Sequence, residues 1–146
     1  MLFQTPTAPE WEPLLIAAWR AREHAHAPYS RFRVGAALQW AGGDISPGCN
    51  VENASYPLCL CAERTALCAA VAQGMAPGQA QALVVVTQAE SLTPPCGACR
   101  QALSEFAEDL PVLLANRTER SLHLLGDLLP LAFTGRNLCK DSAIHP

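Results

Sequence analysis

Two short cysteine-containing segments of this sequence have the residue types and spacing of a metal-dependent active site. Cys61 and Glu63 begin an alanine-rich segment, and Cys96 and Cys99 stand three residues apart farther along the chain. Residues three apart in the first turn of a helix point the same way, and a helix N-terminus favours ionised thiols. Three thiolates would fill three of the four tetrahedral positions of zinc and leave one for water. Because Glu63 can exchange protons with that water, the pattern predicts a catalytic zinc site.

The charge of such a site sets requirements for its neighbours. Three thiolates around Zn²⁺ leave a net negative centre, so we expect the pKa of the adjacent Glu63 carboxyl to be raised. A raised pKa suits a group that accepts and donates protons near neutral pH. Arg64 and Arg100 each follow a residue of the motif directly, and either can offset the charge by hydrogen bonding to sulfur.

Three other interpretations of the cysteines remain open. A thiol redox module would use Cys96 and Cys99 alone and would leave Cys61 and Glu63 without a role. A structural zinc module needs a fourth protein ligand, for which Cys59 is the nearby candidate. The thiols can also simply pack in the core. We predict core positions for three further cysteines and surface positions for the histidines: Cys49, Cys68 and Cys139, and His24, His26, His123 and His145.

Helices and strands alternate along the chain with short connections. Helical periodicity or capping signals predict three helices, over Trp11 to Arg22, Ala62 to Gln73 and Gly97 to Phe106. Apolar runs and turn residues predict five strands, over Phe32 to Trp40, Ile45 to Glu52, Ala82 to Thr87, Pro111 to Ala115 and Ser121 to Leu125.

The lengths of the connections predict the topology of the sheet. The strand–helix–strand unit over residues 82–115 requires a parallel, right-handed crossover. The short connection after residue 115 leaves no room for a helix, so the fifth strand should run antiparallel to the fourth. Both cysteine-bearing helices then begin at the same edge of the sheet, where α/β proteins usually place their sites.

Composition limits the classes of protein to which this site can belong. The 146 residues suit one domain, and only 16% of them are charged, which favours a homo-oligomer that covers part of its surface. The net charge is −3 and no basic cluster stands out in the sequence, so we expect no nucleic-acid partner. No signal peptide or membrane-spanning stretch is visible. Seven cysteines without a secreted disulfide pattern predict a cytoplasmic protein with reduced thiols.

The motifs together resemble the zinc-dependent deaminases, and more narrowly the small homotetrameric cytidine deaminases with three cysteine ligands. The resemblance extends over about residues 11–138. The segments that carry it are Cys61-Ala62-Glu63, Pro95 to Gln101, Ala27 to Ala37, Gly48 to Ala54 and Leu128 to Phe133.

The resemblance implies a fold, an activity and a cofactor. The expected fold is α/β, a single-domain α-β-α sandwich with a five-stranded mixed sheet across residues 1–146. The expected reaction is the hydrolytic, zinc-dependent deamination of free cytidine and deoxycytidine to uridine and deoxyuridine, with release of ammonia, in pyrimidine salvage. One Zn²⁺ per chain and a homotetramer with shared active sites are also implied. A blasticidin-type nucleoside deaminase is the alternative, whereas deaminases of bases within nucleic acids need a basic surface and usually a His in place of Cys61.

The resemblance also assigns roles to individual residues. Glu63 would move protons between water, the pyrimidine ring and the departing amine. The backbone N–H of Ala62 would hold the pyrimidine carbonyl, and Arg64 is favoured over Arg100 as the cation near the sulfurs.

The remaining assignments concern the substrate. Asn50 and Glu52 match residues that bind the ribose 3′-hydroxyl, and Phe32 would press on the pyrimidine. Phe133 matches a residue that reaches into a neighbouring subunit's site, and Tyr56 lies near the same boundary. Two plainer interpretations stand beside these, namely Phe32 as a core residue and Glu52 as a solvated turn carboxylate.

Overall fold

The computed structural model of the chain describes residues 11–138. The four helices in this range are α1 (Glu12–Glu23), α2 (Ala62–Ala72), α3 (Gly97–Ser104) and the short α4 (Leu125–Leu128). The five strands are β1 (Gly35–Trp40), β2 (Asp44–Cys49), β3 (Ala80–Val86), β4 (Pro111–Ala115) and β5 (Arg120–Leu124). Short 3₁₀ turns lie at Ala41–Gly43, Tyr56–Leu58 and Gly135–Leu138.

The five strands form one mixed sheet in the order β2-β1-β3-β4-β5. Strand β1 pairs antiparallel with β2 and with β3, and β4 pairs antiparallel with β5. The central pair, β3 and β4, is parallel, and α3 forms the connection between them. The predicted five-stranded mixed sheet is therefore confirmed, including the hairpin, the parallel crossover and the antiparallel fifth strand.

Helices cover both faces of the sheet. Helix α1 packs its apolar face on one side, together with Ala37, Val84, Val86 and Leu113. Helices α2 and α3 pack on the other side, against Leu38, Leu83, Val85 and Leu114 among others. The alternation of valines and leucines along β3 thus supplies both cores, each buried side chain contributing about 1.5–3 kcal/mol. The predicted α-β-α sandwich is confirmed.

Two glycines let the helices approach the sheet closely. A Cβ atom at Gly48 of β2 would collide with the backbone of α2 at Ala62 and Ala66. A Cβ atom at Gly35 of β1 would collide with the carbonyl of Ala18 in α1. Because α2 lies directly on Gly48, the beginning of this helix is fixed relative to the end of β2.

The first two strands are shorter than predicted at the edge where α2 and α3 begin. Strand β1 begins at Gly35 rather than Phe32, and β2 ends at Cys49 rather than Glu52. The reason is that the side chain of Asn50 replaces the ladder here, accepting a hydrogen bond from the N–H of Val34 at 2.8 Å and donating one to the carbonyl of Phe32 at 2.7 Å. The sheet therefore opens into loops at this edge.

Trp40, to which the sequence assigned no role, is a buried structural residue. Its Nε1 donates a hydrogen bond to Oγ of Ser46 at 3.0 Å, and this hydroxyl donates in turn to Oε1 of Gln73 at 2.6 Å. These bonds satisfy the polar atoms that β1 and β2 bury beneath the end of α2. Among the described residues, no helix has both the length and the apolar character needed to cross a membrane.

Candidate metal centre and adjoining cavity

Helices α2 and α3 begin side by side and bring the three cysteines of the two motifs together. Cys61 directly precedes α2, Cys96 directly precedes α3, and Cys99 lies in the first turn of α3. Their three sulfur atoms all lie within 4.8 Å of one another, and the Sγ atoms of Cys61 and Cys96 are 3.6 Å apart. The sequence thus predicted a cluster that the fold assembles from two separate segments.

Hydrogen bonding polarises the sulfur cluster. The pKa of Cys61 is lowered to about 5, because Cys99 donates a hydrogen bond to its sulfur and Arg64 and Cys96 also lie beside it. The pKa of Cys99 is raised, because its thiol donates to Cys61 and is buried. The hydrogen bond from the Cys99 thiol thus stabilises the thiolate form of Cys61. A divalent cation can displace the remaining protons and take the place of these donors, so binding should release protons.

Arg64 is the cation that faces the cluster. Its Nη2 lies 3.7 Å from Sγ of Cys61, and its Nε is buried without a hydrogen-bond partner among residues 11–138. The nearby thiolate raises the pKa of Arg64. Arg100, the other candidate, instead donates to the carbonyls of Pro95 at 2.8 Å and Leu128 at 2.7 Å. Arg100 therefore joins the segment before α3 to the end of α4, and Arg64 is the guanidinium that lies against the sulfurs.

Glu63 is buried beside the sulfurs, with only 4% of its surface exposed. Burial raises the pKa of Glu63 to about 7, and the charge of Cys61 acts in the same direction, while Arg64 opposes it. Its position in the first turn of α2 places it one residue after Ala62, whose backbone N–H has no acceptor within the helix. A carboxyl with a pKa near neutrality can both take up and release a proton.

The cluster opens into a cavity of about 290 Å³. Its walls include most of the site residues that the sequence singled out, namely Phe32, Asn50, Glu52, Cys61, Ala62, Glu63 and Cys96. Phe32 is 43% exposed, so the interpretation of this ring as a core residue is wrong. The volume is close to the lower end of the range of about 300–1,000 Å³ that small-molecule sites occupy.

Glu52 and Asn50 form another part of the cavity wall. Oε1 of Glu52 accepts hydrogen bonds from the backbone N–H groups of Tyr29 at 3.0 Å and Ser30 at 3.1 Å, and Oε2 accepts one from the hydroxyl of Ser30. These bonds, the hydroxyl first, lower the pKa of Glu52. Asn50 uses one amide hydrogen and its oxygen on residues 32 and 34, which leaves its second amide hydrogen for a ligand. Glu52 is therefore an ordered acceptor rather than a freely solvated turn carboxylate.

Two aromatic residues predicted for the site lie outside this cavity in the single chain. Tyr56 contacts Tyr29 edge to face, with ring centroids 5.8 Å apart, and borders an adjacent depression next to Glu52. Phe133 lies beyond α4, its carbonyl accepts a hydrogen bond from Gln101 of α3 at 2.8 Å, and it is 58% exposed. The structure does not bring Phe133 to the cavity of its own chain.

The other cysteines are separate from the cluster. Sγ of Cys59 accepts a hydrogen bond from the N–H of Asn53 at 3.3 Å and donates to its carbonyl at 3.6 Å, so this thiol faces a loop. The predicted core position of Cys68 is wrong, because this residue lies on the outer face of α2 and is exposed. Cys49 is half-buried, and burial raises its pKa. Cys139, which we expected in the core, lies outside the described residues, as does His145.

The histidines within the described range fit the surface prediction with one exception. His24 and His26 are exposed, whereas His123 is half-buried on β5 and its Nε2 shares a hydrogen bond with the hydroxyl of Ser121 at 2.8 Å. None of the three belongs to the sulfur cluster, the one group of potential metal ligands found among residues 11–138.

Ser30 and the loop residue Thr93 also line the cavity, although the sequence analysis assigns neither of them a role. Thr93 shares a hydrogen bond with Thr87 at 3.0 Å, which fixes the loop that leads to Cys96. Ser30 belongs to a segment that resembles a known family, but its partner Glu52 stands 22 residues away and no local pattern links the two.

The residues present fit a zinc ion. Three soft sulfur donors within 4.8 Å of one another match the ligand type and number of a catalytic zinc site, and Cys61 and Cys96 also line the cavity. The buried guanidinium nitrogen of Arg64 next to the sulfurs fits the excess negative charge of a three-thiolate centre.

Comparison with known proteins agrees with this site. The family model described as the cytidine and deoxycytidylate deaminase zinc-binding region matches residues 10–114. A cytidine deaminase of Sporosarcina psychrophila is 43% identical over 129 residues, which cover 87% of this chain and 93% of the relative. A cytidine deaminase of Halalkalibacterium halodurans is 44% identical over 127 residues, covering 86% of this chain and 95% of the relative. The solved structure of a cytidine deaminase from Burkholderia pseudomallei is 51% identical and superimposes with a TM-score of 0.80, covering 83% of this chain and 97% of that chain.

Proposed function

Because the chain belongs to the cytidine and deoxycytidylate deaminase family, we propose that it is a zinc-dependent hydrolase that converts free cytidine and deoxycytidine to uridine and deoxyuridine with release of ammonia. The observation that carries the proposal is that residues of the three-cysteine cluster, the buried Glu63, and the ordered Glu52 and Asn50 all line one cavity. The blasticidin-type alternative is not favoured, since the relatives at this identity and coverage are cytidine deaminases.

The metal end of the cavity supports the chemical step. Cys61, Cys96 and Cys99 would hold one zinc ion per chain, with Arg64 lowering the negative charge on sulfur. When bound, zinc supplies Lewis acidity that lowers the pKa of a coordinated water to about 7. The buried position of Glu63 keeps bulk water away from the carboxyl, which strengthens its interactions with the reacting groups.

Glu63 would carry the protons of the reaction. Its carboxylate accepts a proton from the attacking water and donates it to the pyrimidine ring nitrogen next to C4. It then passes the second water proton to the departing amino group, so that one water is consumed and one ammonia is released. A single group in both roles needs a pKa near neutrality, which the burial of Glu63 supports.

The other walls would orient the nucleoside. The free backbone N–H of Ala62, at the start of α2, supports a hydrogen bond to the pyrimidine carbonyl. The exposed face of Phe32 supports contact with the pyrimidine ring. Glu52 would accept a hydrogen bond from the ribose 3′-hydroxyl, and the second amide hydrogen of Asn50 would donate one to it. A substrate that lacks this hydroxyl would leave both groups unpaired and would therefore have a lower kcat/KM.

We further propose that the active protein is a homotetramer whose chains share their active sites. Phe133 is exposed and remote from its own chain's cavity, which supports a contact with a neighbouring chain instead. Tyr56, which is 68% exposed beside Glu52, would lie at the same boundary. One domain over residues 1–146 and a cytoplasmic location belong to this proposal, the latter because the ligand thiols must stay reduced.

The test is ammonia release from a panel of substrates by the zinc-loaded protein. We expect turnover of cytidine and deoxycytidine, poor turnover of free cytosine and no turnover of 3′-CMP or a cytidine-containing oligonucleotide. A 3′-phosphate would place negative charge against Glu52, whose lowered pKa keeps it ionised. Comparable rates on the oligonucleotide and on cytidine would reject the free-nucleoside assignment, and failure to release ammonia from any cytidine compound would reject the reaction itself.

A further inference from the structure

Ser30 links two of the groups that the proposed function places around the nucleoside. Its hydroxyl donates a hydrogen bond to Oε2 of Glu52 and accepts one from the backbone N–H of Phe32 at 3.0 Å. Its own backbone N–H donates to Oε1 of Glu52 at 3.1 Å. One serine therefore contacts both carboxylate oxygens and the backbone of the residue that forms the adjoining wall of the cavity.

The hydroxyl of Ser30 has no substitute at this position. Within residues 11–138 it is the one side chain that donates a hydrogen bond to Glu52, whose other two bonds come from the backbone N–H groups of residues 29 and 30 and reach the same oxygen. With the hydroxyl removed, Oε1 would stay anchored while Oε2 could turn about it. The carboxylate would then be attached at one point, without a fixed orientation.

The backbone around Ser30 is arranged to bring both contacts to one side. Arg31, the next residue, has a φ of +61°, in the left-handed region that non-glycine residues seldom adopt, and its N–H donates to the carbonyl of Ala27 at 3.0 Å. This tight turn allows the serine hydroxyl to reach back to the N–H of Phe32. Strained backbone of this kind persists only where surrounding contacts hold it, and the Ser30–Glu52 bonds are such contacts.

We propose that Ser30 is a positioning residue for sugar recognition, which orients the Glu52 carboxylate so that Oε2 accepts the ribose 3′-hydroxyl. The inference rests on the proposed function, because it requires Glu52 to bind the ribose. Ser30 acts through Glu52 and takes no part in the chemical step. An acceptor that is oriented before the substrate arrives loses less conformational entropy on binding, so the effect falls on substrate affinity.

The experiment compares cytidine with 3′-deoxycytidine, which differs only in the hydroxyl that Glu52 would bind. Steady-state kcat and KM are measured for the zinc-loaded parent, Ser30→Ala, Ser30→Thr, Glu52→Gln and the Ser30→Ala/Glu52→Gln double variant. Ser121→Ala is the control, since the hydroxyl of this serine also shares a hydrogen bond with another side chain, that of His123, but lies on the edge strand β5. Zinc content and melting temperature are measured for each protein.

We expect Ser30→Ala to lower kcat/KM for cytidine about tenfold through KM, the size of a lost hydrogen bond to a charged group. The value of kcat/KM for 3′-deoxycytidine should change by less than about twofold, because the binding of this substrate does not depend on the orientation of Glu52. Ser30→Thr keeps the hydroxyl and should retain most of the preference for cytidine. In the Glu52→Gln variant, adding Ser30→Ala should lower kcat/KM for cytidine little further, because the effects of substituting two residues that act together do not add.

Several results would overturn the inference. An equal loss of kcat/KM for both substrates in Ser30→Ala would show that Ser30 supports the loop as a whole. Additive losses of kcat/KM in the double variant would show that Ser30 acts independently of Glu52. If Glu52→Gln narrows the preference for cytidine and Ser30→Ala does not, the positioning role fails while the ribose assignment stands. If Glu52→Gln leaves the preference unchanged, the ribose assignment itself fails. Should Ser30→Ala melt far below the parent, Ser30→Cys, of similar size but a weak donor, replaces it with the same expectations.

Discussion

The two carboxylates that line the cavity, Glu63 and Glu52, have pKa values shifted in opposite directions. Glu63 is buried beside sulfur, and burial raises its pKa to about 7. Glu52 lies between loops, and hydrogen bonds from the Ser30 hydroxyl and from backbone N–H groups lower its pKa. The same functional group can therefore exchange protons near neutral pH in one environment and stay ionised in the other. Environments that separate the pKa values of two carboxyls in this way identify which one performs acid–base work.

The two ends also differ in how they are built. The metal end is formed by the first turns of two helices that pack on the sheet, and Cys99 and Glu63 are buried there. The loop end, around Glu52 and Asn50, consists of loops in which side chains such as Asn50 replace the backbone ladder. Changes at the metal end should therefore remove the reaction, whereas changes at the loop end should alter which substrate is bound.

Cys99→Ala should have the largest effect, because it removes one of the proposed zinc ligands and the donor that stabilises the Cys61 thiolate. We expect loss of zinc, loss of deaminase activity to the detection limit and a lower melting temperature, since metal binding and folding are coupled. Cys68→Ala is the control, because this cysteine is exposed on α2, away from the cluster. Metal analysis that found about one zinc per chain in Cys99→Ala would contradict the ligand set.

Glu63→Gln should separate proton transfer from metal binding at the same end of the cavity. The amide has the shape of the carboxyl but cannot shuttle protons, so kcat should fall by about 10²–10⁴-fold or more while zinc is retained. Glu105→Gln, an exposed change just beyond α3, should leave kcat unchanged. Near-normal turnover by zinc-loaded Glu63→Gln would rule out the mechanism in which this residue carries the protons.

How far the sequence predicts the site follows the same division. The residues of the metal end stand close to one another in two motifs, so their spacing alone indicated a cluster, and the structure confirms that the sulfurs meet. The choice between Arg64 and Arg100 was not decided by spacing, because it depends on Arg100 reaching the carbonyl of Leu128. At the loop end, the bonds between Ser30 and Glu52 join residues with no common local pattern, so resemblance could name Glu52 but nothing pointed to its partner.

The same limit applies to the fold. Apolar periodicity and short connections were enough for the order and direction of the five strands, since these depend on burial and chain length. The start of β1 was predicted three residues early, because the Asn50 side chain replaces the backbone hydrogen bonds that would have extended the strand. In the sequence, Asn50 cannot be distinguished from an ordinary polar residue in a turn. The core prediction for Cys68 was wrong because a small apolar residue gives little indication of which helix face it occupies.

The raised pKa of Glu63 predicts a stability cost at the metal end. Between pH 4.5 and about 7 the folded protein holds a proton on Glu63 that the unfolded chain has lost, so the free energy of unfolding falls as pH rises through this window. The shift corresponds to about 3 kcal/mol. In zinc-free protein, Glu63→Gln should therefore be more stable than the parent at pH 8, by up to this amount, and similar to it near pH 4.5. Urea unfolding at the two pH values measures the difference, and an equal difference at both would contradict the assignment.

Phe133→Ala tests whether the loop end of the cavity is completed by a neighbouring chain, and it should have the smallest effect of the series. The ring lies away from its own chain's cavity, so its removal should raise KM for cytidine severalfold while zinc and kcat are retained. The decisive measurement mixes Phe133→Ala chains with inactive Glu63→Gln chains. In a mixed oligomer, one site can combine Glu63 from a Phe133→Ala chain with the Phe133 ring of a neighbouring Glu63→Gln chain. Such a site has both groups, so hetero-oligomers should show a lower KM for cytidine than Phe133→Ala alone. Unchanged KM in hetero-oligomers shown by mass spectrometry to have formed would place the function of Phe133 within its own subunit, and the cavity would then be complete in one chain.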